Sequence, residues 1–382
     1  MKLIYIIKSF AATAGVERVM SDKMNWLAEK SYSITLVTYE QGNHQLVYQL
    51  NQSIRHFDLN TRFFEIGKYS YYKRPFCFLK LRHKFKNRLQ DLLINNKPDV
   101  IITTTYSMPL LDIIVKVNPK AKLILESHIA CYKVRKSNEF SHKSLLYLFA
   151  SIYDKITLRY VKDFDKLITL TEGDANDWRA TTSKIHIIPN PITLFPDTVA
   201  QIGKTKRIIC VGRLHEQKGF DMLIDAFSLI SSKCPDWNID IFGSGDEEKM
   251  LKDRISANHL EKRITINPPT HEIFTEYQKS DFFVLSSRYE GYALVLIEAM
   301  ACGLPCVSFR CKYGPEEAIK DGENGILVNN GDIMQLSEKI LWMIQHPDAR
   351  VRMGKAARES VRRYKKDMIM QQWTKLFESL EK

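Results

Sequence analysis

Arg207-Ile208-Ile209-Cys210-Val211-Gly212-Arg213-Leu214, followed after three residues by Lys218-Gly219-Phe220, carries the pattern that decides the fold. A short apolar run stops at a glycine, two cations five positions apart follow, and the apolar spacing over 220–231 then takes a helical period. A buried strand that feeds a helix through a glycine turn is the repeating unit of a parallel sheet with helices on its faces. Downstream the unit recurs: strand 238–242, helix 247–257, strand 264–267, strand 282–286, a helix starting near Leu294, then strands 305–309 and 325–328. Upstream, strand 2–7, helix 16–28 and strands 33–38, 100–104, 122–126 and 166–170, with a helical stretch over 174–179, read the same way. The expectation is an α/β protein with two doubly wound, Rossmann-like domains.

Between the two runs, Pro189 and Pro191 flank Asn190, and the stretch to Lys206 has no periodicity, so it reads as a linker. The expected domains are therefore 1–190 and 191–365, with a terminal helix over 366–382 joining the first. In that tail Met368, Ile369, Trp373, Leu376, Phe377 and Leu380 are expected to line one apolar face.

Composition agrees with two ordinary cores. The 382 residues are 45% apolar and 26% charged, which excludes a disordered chain, a collagen and a small disulfide scaffold. Lysine and arginine number 56 against 44 acids, a formal +12 that favours nucleic acid, anionic lipid or negatively charged small molecules. No apolar run reaches the length of a membrane-spanning helix, and the amino terminus lacks a secretory core, so a cytoplasmic protein is expected. The seven cysteines are scattered. Cys302, Cys306 and Cys311 match no zinc spacing, and reduced thiols are expected.

Two clusters carry chemistry. In the first, Arg213 and Lys218 have the donors to neutralise a diphosphate and a departing nucleotide, although surface cations look the same in sequence. In the second, Ser287-Arg288-Tyr289-Glu290-Gly291-Tyr292 ends a strand, and Glu298 sits inside an almost wholly apolar helix where a carboxylate needs a partner. His128 follows a strand in Glu126-Ser127-His128, and Glu17 either caps the first helix or orients a second substrate.

Taken together, Gly15-Val16-Glu17-Arg18, Gly212-Arg213-Leu214 with Lys218-Gly219, and Glu290-Gly291 followed by Glu298-Ala299-Met300-Ala301-Cys302-Gly303-Leu304-Pro305 resemble retaining GT-B glycosyltransferases of the family 4 and group 1 type, over nearly the whole chain. The resemblance implies two Rossmann-like domains facing an interdomain cleft, the first for acceptor and the second for a nucleotide-sugar donor. It implies that Arg213 and Lys218 contact the donor diphosphate, Glu298 the ribose, Glu290 the transferred sugar, and Gly291 and Tyr292 the region of the phosphates. His128, with Glu290, Arg213 and Lys218, is implied in catalysis, Gly15 in close approach of the first loop to the donor, and Glu17 in acceptor binding. The loop in this chain is Ala14-Gly15 where relatives have tandem glycines. In Lys312-Tyr313-Gly314-Pro315-Glu316-Glu317, Glu316 is a secondary donor contact, although a proline-led helix start explains the same residues. No Asp-x-Asp pair suggests a metal, so neither metal nor other cofactor is expected besides the donor.

The implied activity is retaining transfer of a hexosyl or N-acetylhexosaminyl group, from a UDP-sugar first of all, to a growing surface polysaccharide or lipid-linked glycan. A GT-B epimerase or phosphorylase, or a noncatalytic glycan-binding scaffold, is the alternative. Between Lys68 and Arg88 stand eight Lys/Arg residues, six Tyr or Phe residues and no acid. Such a stretch suits an anionic membrane surface on the inner face of the cytoplasmic membrane, or a solvated basic face over packed aromatics. No nucleic-acid partner is expected, because no recognition module is present.

Overall fold

The computed structural model describes residues 1–11, 15–117 and 120–381. The chain forms two compact units, one built from Met1–Pro189 with Met370–Lys382 and one from Asn190–Ile369.

Unit 1 runs β1 (Lys2–Ile7), α1 (Gly15–Glu29), β2 (Ser33–Thr38), β3 (Arg55–Asp58), α2 (Arg74–Asn96), β4 (Val100–Thr104), α3 (Leu111–Val117), β5 (Lys122–Glu126), α4 (Cys131–Val134), α5 (Leu145–Leu158), β6 (Lys166–Thr169), α6 (Glu172–Trp178) and β7 (Ile185–Ile187). Its seven strands lie in the order β3-β2-β1-β4-β5-β6-β7, every pairing parallel. β1, β2 and β4 are buried from their second residue or throughout, because helices cover both faces of the sheet.

Unit 2 runs β8 (Arg207–Val211), α7 (Phe220–Ser228), β9 (Asn238–Phe242), α8 (Glu248–Ala257), β10 (Ile264–Asn267), α9 (Ile273–Gln278), β11 (Phe282–Leu285), α10 (Leu294–Ala301), β12 (Cys306–Phe309), α11 (Pro315–Ala318), β13 (Gly325–Val328), α12 (Ile333–Gln345) and α13 (Pro347–Ser360). The order is β10-β9-β8-β11-β12-β13, again wholly parallel. Both sheets thus share the arrangement in which strand order reverses beside the first strand, as in dinucleotide-binding folds.

Two short strands escape the sequence reading. β3 is Arg-His-Phe-Asp at a sheet edge, with no apolar run to mark it, and β7 is a three-residue edge strand, Ile-His-Ile, just before the linker. The terminal helix α14 (Lys366–Glu381) also corrects the expected face. Met368 is 52% exposed, while Met370 is fully buried beside Ile369, Trp373, Leu376 and Phe377. Spacings of three and four from Ile369 and Met370 keep one stripe inward, and Met368 falls a third of a turn outside it.

Met370→Ala is therefore expected to cost about 2–5 kcal/mol of unit 1 stability, and Met368→Ala less than about 0.5 kcal/mol. Urea unfolding of the two variants checks the pair.

Candidate active site

In a doubly wound sheet the loops on either side of the reversal point leave in opposite directions and open a recess at the carboxyl ends of the strands. In unit 2 that point lies between β8 and β11. The turn after β8 carries Gly212, Arg213, Lys218 and Gly219, and the turn after β11 carries Ser286 through Ala293.

These turns are stitched together. Arg288 N donates to Gln217 O at 2.8 Å, Gln217 Nε2 donates to Tyr289 O at 3.1 Å, and Ser286 Oγ donates to Lys218 O at 2.9 Å. The Arg288 guanidinium forks onto both Asp221 oxygens at 2.8 and 2.7 Å. Burial alone would raise the Asp221 carboxyl, but Arg288 outweighs it and holds the group below its ordinary value. Gly219 sits at φ +62°, and a Cβ there would lie 2.1 Å from Ser286 O, so only glycine lets the turns approach this closely.

At the junction, Lys218 Nζ lies 2.7 Å from Glu290 Oε1, and Ser287 Oγ donates to the same oxygen at 2.6 Å. Glu290 is 4% exposed, so its charge depends on those two donors. The sequence anticipates Lys218 and Glu290 as separate contacts, whereas the fold makes them partners. Arg213, five positions away, is exposed, and its guanidinium forms no hydrogen bond or ion pair among the described residues. An oriented carboxylate, an ammonium and an available guanidinium at the switch point are the chemistry of an anionic, hydroxyl-rich ligand.

Other predicted residues of unit 2 have defined places. Glu298 is buried in α10 and accepts from Thr193 Oγ1 at 3.3 Å. Gly291 is half-buried between Glu290 and Tyr292. The Tyr292 hydroxyl donates to Asn190 O at 3.2 Å, and burial pushes its pKa well above the usual phenol value. Glu316 lies on the exposed start of α11, paired with Arg310 at 2.8 Å.

In unit 1, Gly15 opens α1, and Ala14 lies outside the described residues. Glu17 lies within its first turn. His128 leaves the end of β5, where its side chain is 1% exposed and its Nε2 donates to Glu126 Oε2 at 3.1 Å. The other Glu126 oxygen takes Lys23 Nζ at 2.5 Å, with both side chains 3% exposed. Burial lowers the Lys23 pKa; it would raise Glu126, but Lys23 and His128 together hold that carboxyl below its ordinary value. The Lys23 ammonium also lies 3.9 Å from the Trp373 ring centroid, so the terminal helix closes over the pair.

The loop that bears His128 is fixed from behind. Asp174 accepts from Cys131 N at 2.7 Å and Ser127 Oγ at 2.8 Å, and Trp178 Nε1 donates to Ser127 Oγ at 3.1 Å. With Nε2 committed to a carboxylate, which only accepts, His128 Nδ1 is left buried without a partner among the described residues. Glu17 Oε2 is likewise buried and has no partner among the described residues. Burial raises the Glu17 pKa, an effect its own backbone N–H and nearby His128 oppose. The fold thus brings Glu17 and His128 into one electrostatic site with orphan polar atoms.

Lys23 and Glu126, which hold His128, are positions that the sequence reading passes over, although their signals are present. Val19, Met20, Lys23, Met24 and Leu27 are the buried stripe of α1, with a lysine in a core position. A cation there requires a buried acid, and Glu126 follows the buried apolar run Leu123-Ile124-Leu125 at the end of its strand.

The comparisons with known proteins decide the family. Residues 13–194 match the model "Glycosyltransferase Family 4", and residues 195–360 match "Glycosyl transferases group 1". The chain is a glycosyltransferase that pairs these two domains. It is 28% identical over 374 residues to an uncharacterized glycosyltransferase of Haemophilus influenzae, covering 97% of this chain and 98% of the relative. It is 25% identical over 385 residues to the amylovoran biosynthesis glycosyltransferase AmsD of Erwinia amylovora, again covering 97% and 98%. A Staphylococcus aureus TarM variant solved with fondaparinux, α-GlcNAc-glycerol and UDP superposes with a TM-score of 0.77 at 16% identity, over 99% of this chain and all of that one. The fold of this glycosyltransferase is GT-B. Among its described residues no three His, Cys, Asp or Glu side chains cluster as a metal site would.

Lys23→Met and Glu126→Gln are each expected to destabilise unit 1 by about 3–5 kcal/mol, because each strands a buried polar partner. The double variant is expected to recover most of the loss, and chemical unfolding of all four proteins measures the coupling.

A raised Glu17 pKa means that the folded state binds this proton more tightly than the unfolded chain does. The contribution therefore favours folding below the unfolded value of about 4.3 and is lost as pH rises through the folded one. Glu17→Gln is expected to raise the melting temperature of unit 1 at pH 7 and to give no gain near pH 4, as thermal melts across that range will report.

Proposed function

We propose that this glycosyltransferase moves a hexosyl or N-acetylhexosaminyl group from a UDP-sugar to a growing surface polysaccharide or a lipid-linked glycan, with retention at the anomeric carbon. The observation that carries this reading is the Lys218–Glu290–Ser287 cluster beside exposed Arg213 at the switch point of unit 2. Arg213 and Lys218 take the diphosphate, Glu298 the ribose hydroxyls, and Glu290 the sugar. Gly291, Tyr292 and Gly15 serve the donor, Glu316 is a secondary contact, and Glu17 orients the acceptor. TarM was solved with UDP and an α-GlcNAc glycoside, and AmsD is named for polysaccharide biosynthesis, which supports the donor and acceptor classes.

The chemistry follows from charge. As the anomeric carbon–oxygen bond to the phosphate breaks, negative charge grows on the leaving UDP, where Arg213 and Lys218 stabilise it. An acceptor hydroxyl attacks the same face, its oxygen bonds to the anomeric carbon, and its proton passes to the departing phosphate oxygen. His128 Nδ1 supplies a buried hydrogen-bonding site for a sugar hydroxyl or for charge near the reacting carbon. No metal is required by this route. A lipid-linked acceptor puts the work at a cytoplasmic membrane face, to which the basic stretch between Lys68 and Arg88 is attracted.

The test is a panel of UDP-, GDP- and ADP-sugars with glycan and lipid-linked acceptors, read as glycoside formed and as anomeric configuration by NMR. UDP-dependent transfer with retention, unchanged by EDTA, is expected. Lys218→Ala is expected to cut kcat by roughly 10²–10³-fold, in line with removing one donor to a developing oxyanion. Turnover without a glycosidic product assigns the fold to an epimerase, product from a sugar phosphate assigns it to a phosphorylase, and glycan binding without turnover assigns it to a scaffold.

A further inference from the structure

Helix α5 of unit 1 is amphipathic in the wrong sense for a soluble domain. Its sequence, Leu-Leu-Tyr-Leu-Phe-Ala-Ser-Ile-Tyr-Asp-Lys-Ile-Thr-Leu, turns Ala150 and Asp154 inward, and the Asp154 carboxylate accepts from Lys136 N and Ser137 N at 2.9 Å each. Outward stand Leu145 at 68%, Leu148 at 55%, Phe149 at 60% and Ile152 at 48% exposure, with Leu146 and Ile156 beside them. At 100° per residue these side chains span an arc of roughly 160°. Burying that much apolar surface is what a helix face of this kind normally achieves, and within unit 1 nothing covers it.

A second set of exposed apolar side chains stands at the amino-terminal end of α2, whose later turns meet the element that α5 packs against. Arg82 of α2 bonds the Pro109 carbonyl and pairs with Asp112, and α5 packs against the same 105–110 turn. On the amino-terminal side of Arg82, Tyr71 is 84% exposed, Tyr72 80% and Phe76 73%. Lys73 and Lys80 are exposed among them. Around α5 the exposed cations are Lys143, Lys155 and Arg159; Asp154 is buried, Glu139 pairs with Lys136 at 3.2 Å, and Asp163 is exposed five residues past the helix.

We propose that α5 and the exposed Tyr71, Tyr72 and Phe76 around the start of α2 form one monotopic docking surface for an anionic lipid bilayer. The helix lies in the plane of the interface, with its Leu/Phe/Ile face among the acyl chains and the lysines at the level of the headgroups. Charge complementarity selects this occupant, because an apolar face flanked by Lys143, Lys155 and Arg159 fits an anionic surface and repels a second copy of itself. Among the described residues no helix is long and apolar enough to cross a membrane. The proposal extends the membrane reading of the basic stretch to a helix outside it, and it does not rest on the transfer chemistry.

Co-sedimentation of the full chain with vesicles of phosphatidylcholine, with and without one-third phosphatidylglycerol, tests it in the absence of any donor. Binding is expected to the anionic vesicles, weakening as salt rises. The triple variant Leu148→Gln/Phe149→Gln/Ile152→Gln changes only exposed positions and is expected to lose binding by about tenfold or more while keeping its circular dichroism and its UDP-induced thermal shift. Phe149→Trp is expected to show blue-shifted emission quenched by brominated lipid. Failure of the wild type to bind, or equal binding by the triple variant, overturns the proposal. A dimer in sedimentation velocity that the triple variant abolishes, with vesicle binding unchanged, assigns the face to a second copy and overturns it as well.

Discussion

Every strand in both sheets runs parallel to its neighbours, and the rest of the structure follows from that constraint. A parallel strand ends at the same edge as all the others, and its crossover helix must begin from there. With both sheet faces buried beneath helices, the strand ends are where polar side chains can meet without crossing the core. The central strands admit few alternatives: β11 is Phe-Phe-Val-Leu and β12 is Cys-Val-Ser-Phe, both fully buried. Polar groups that would be costly inside are thereby gathered into the turns after β8, β11 and β5.

Both units solve the resulting charge problem with a lysine–glutamate pair, but they put it to different use. Lys23–Glu126 is dry, capped by Trp373, and makes its second bond to His128. It acts as a clamp that sets the imidazole by fixing which nitrogen faces the carboxylate. Lys218–Glu290 joins two turns at the switch point, and Lys218 keeps 14% of its side-chain surface. Ser287 gives the same carboxylate oxygen a second donor. Arg213 adds a cation whose position costs the free protein nothing to keep open to solvent.

Helix α5 shows how a local pattern gains meaning only from its orientation. Its residues read as an ordinary core helix, since burial and exposure of one amphipathic face leave the same periodicity in the chain. The inward acid, held by two backbone N–H groups, settles which face points in. An apolar face turned to solvent is then the feature to be explained, and a bilayer interface explains it together with the adjoining cations.

By itself the amino-acid order determined a good deal: two doubly wound α/β domains, a break close to Asn190, and the turns that carry Arg213, Lys218, Glu290, His128 and Glu17. Those are local properties, because apolar runs, helical spacing and glycine turns are set by near neighbours. Pairing was beyond its reach. Lys218 and Glu290 are 72 positions apart, and Lys23 and Glu126 are 103 apart. Only strand order brings their loops to one edge, and only burial reveals that each charge requires the other. The edge strand β3 and the inward choice of Met370 over Met368 were decided the same way, by packing partners distant in the chain that no local window contains.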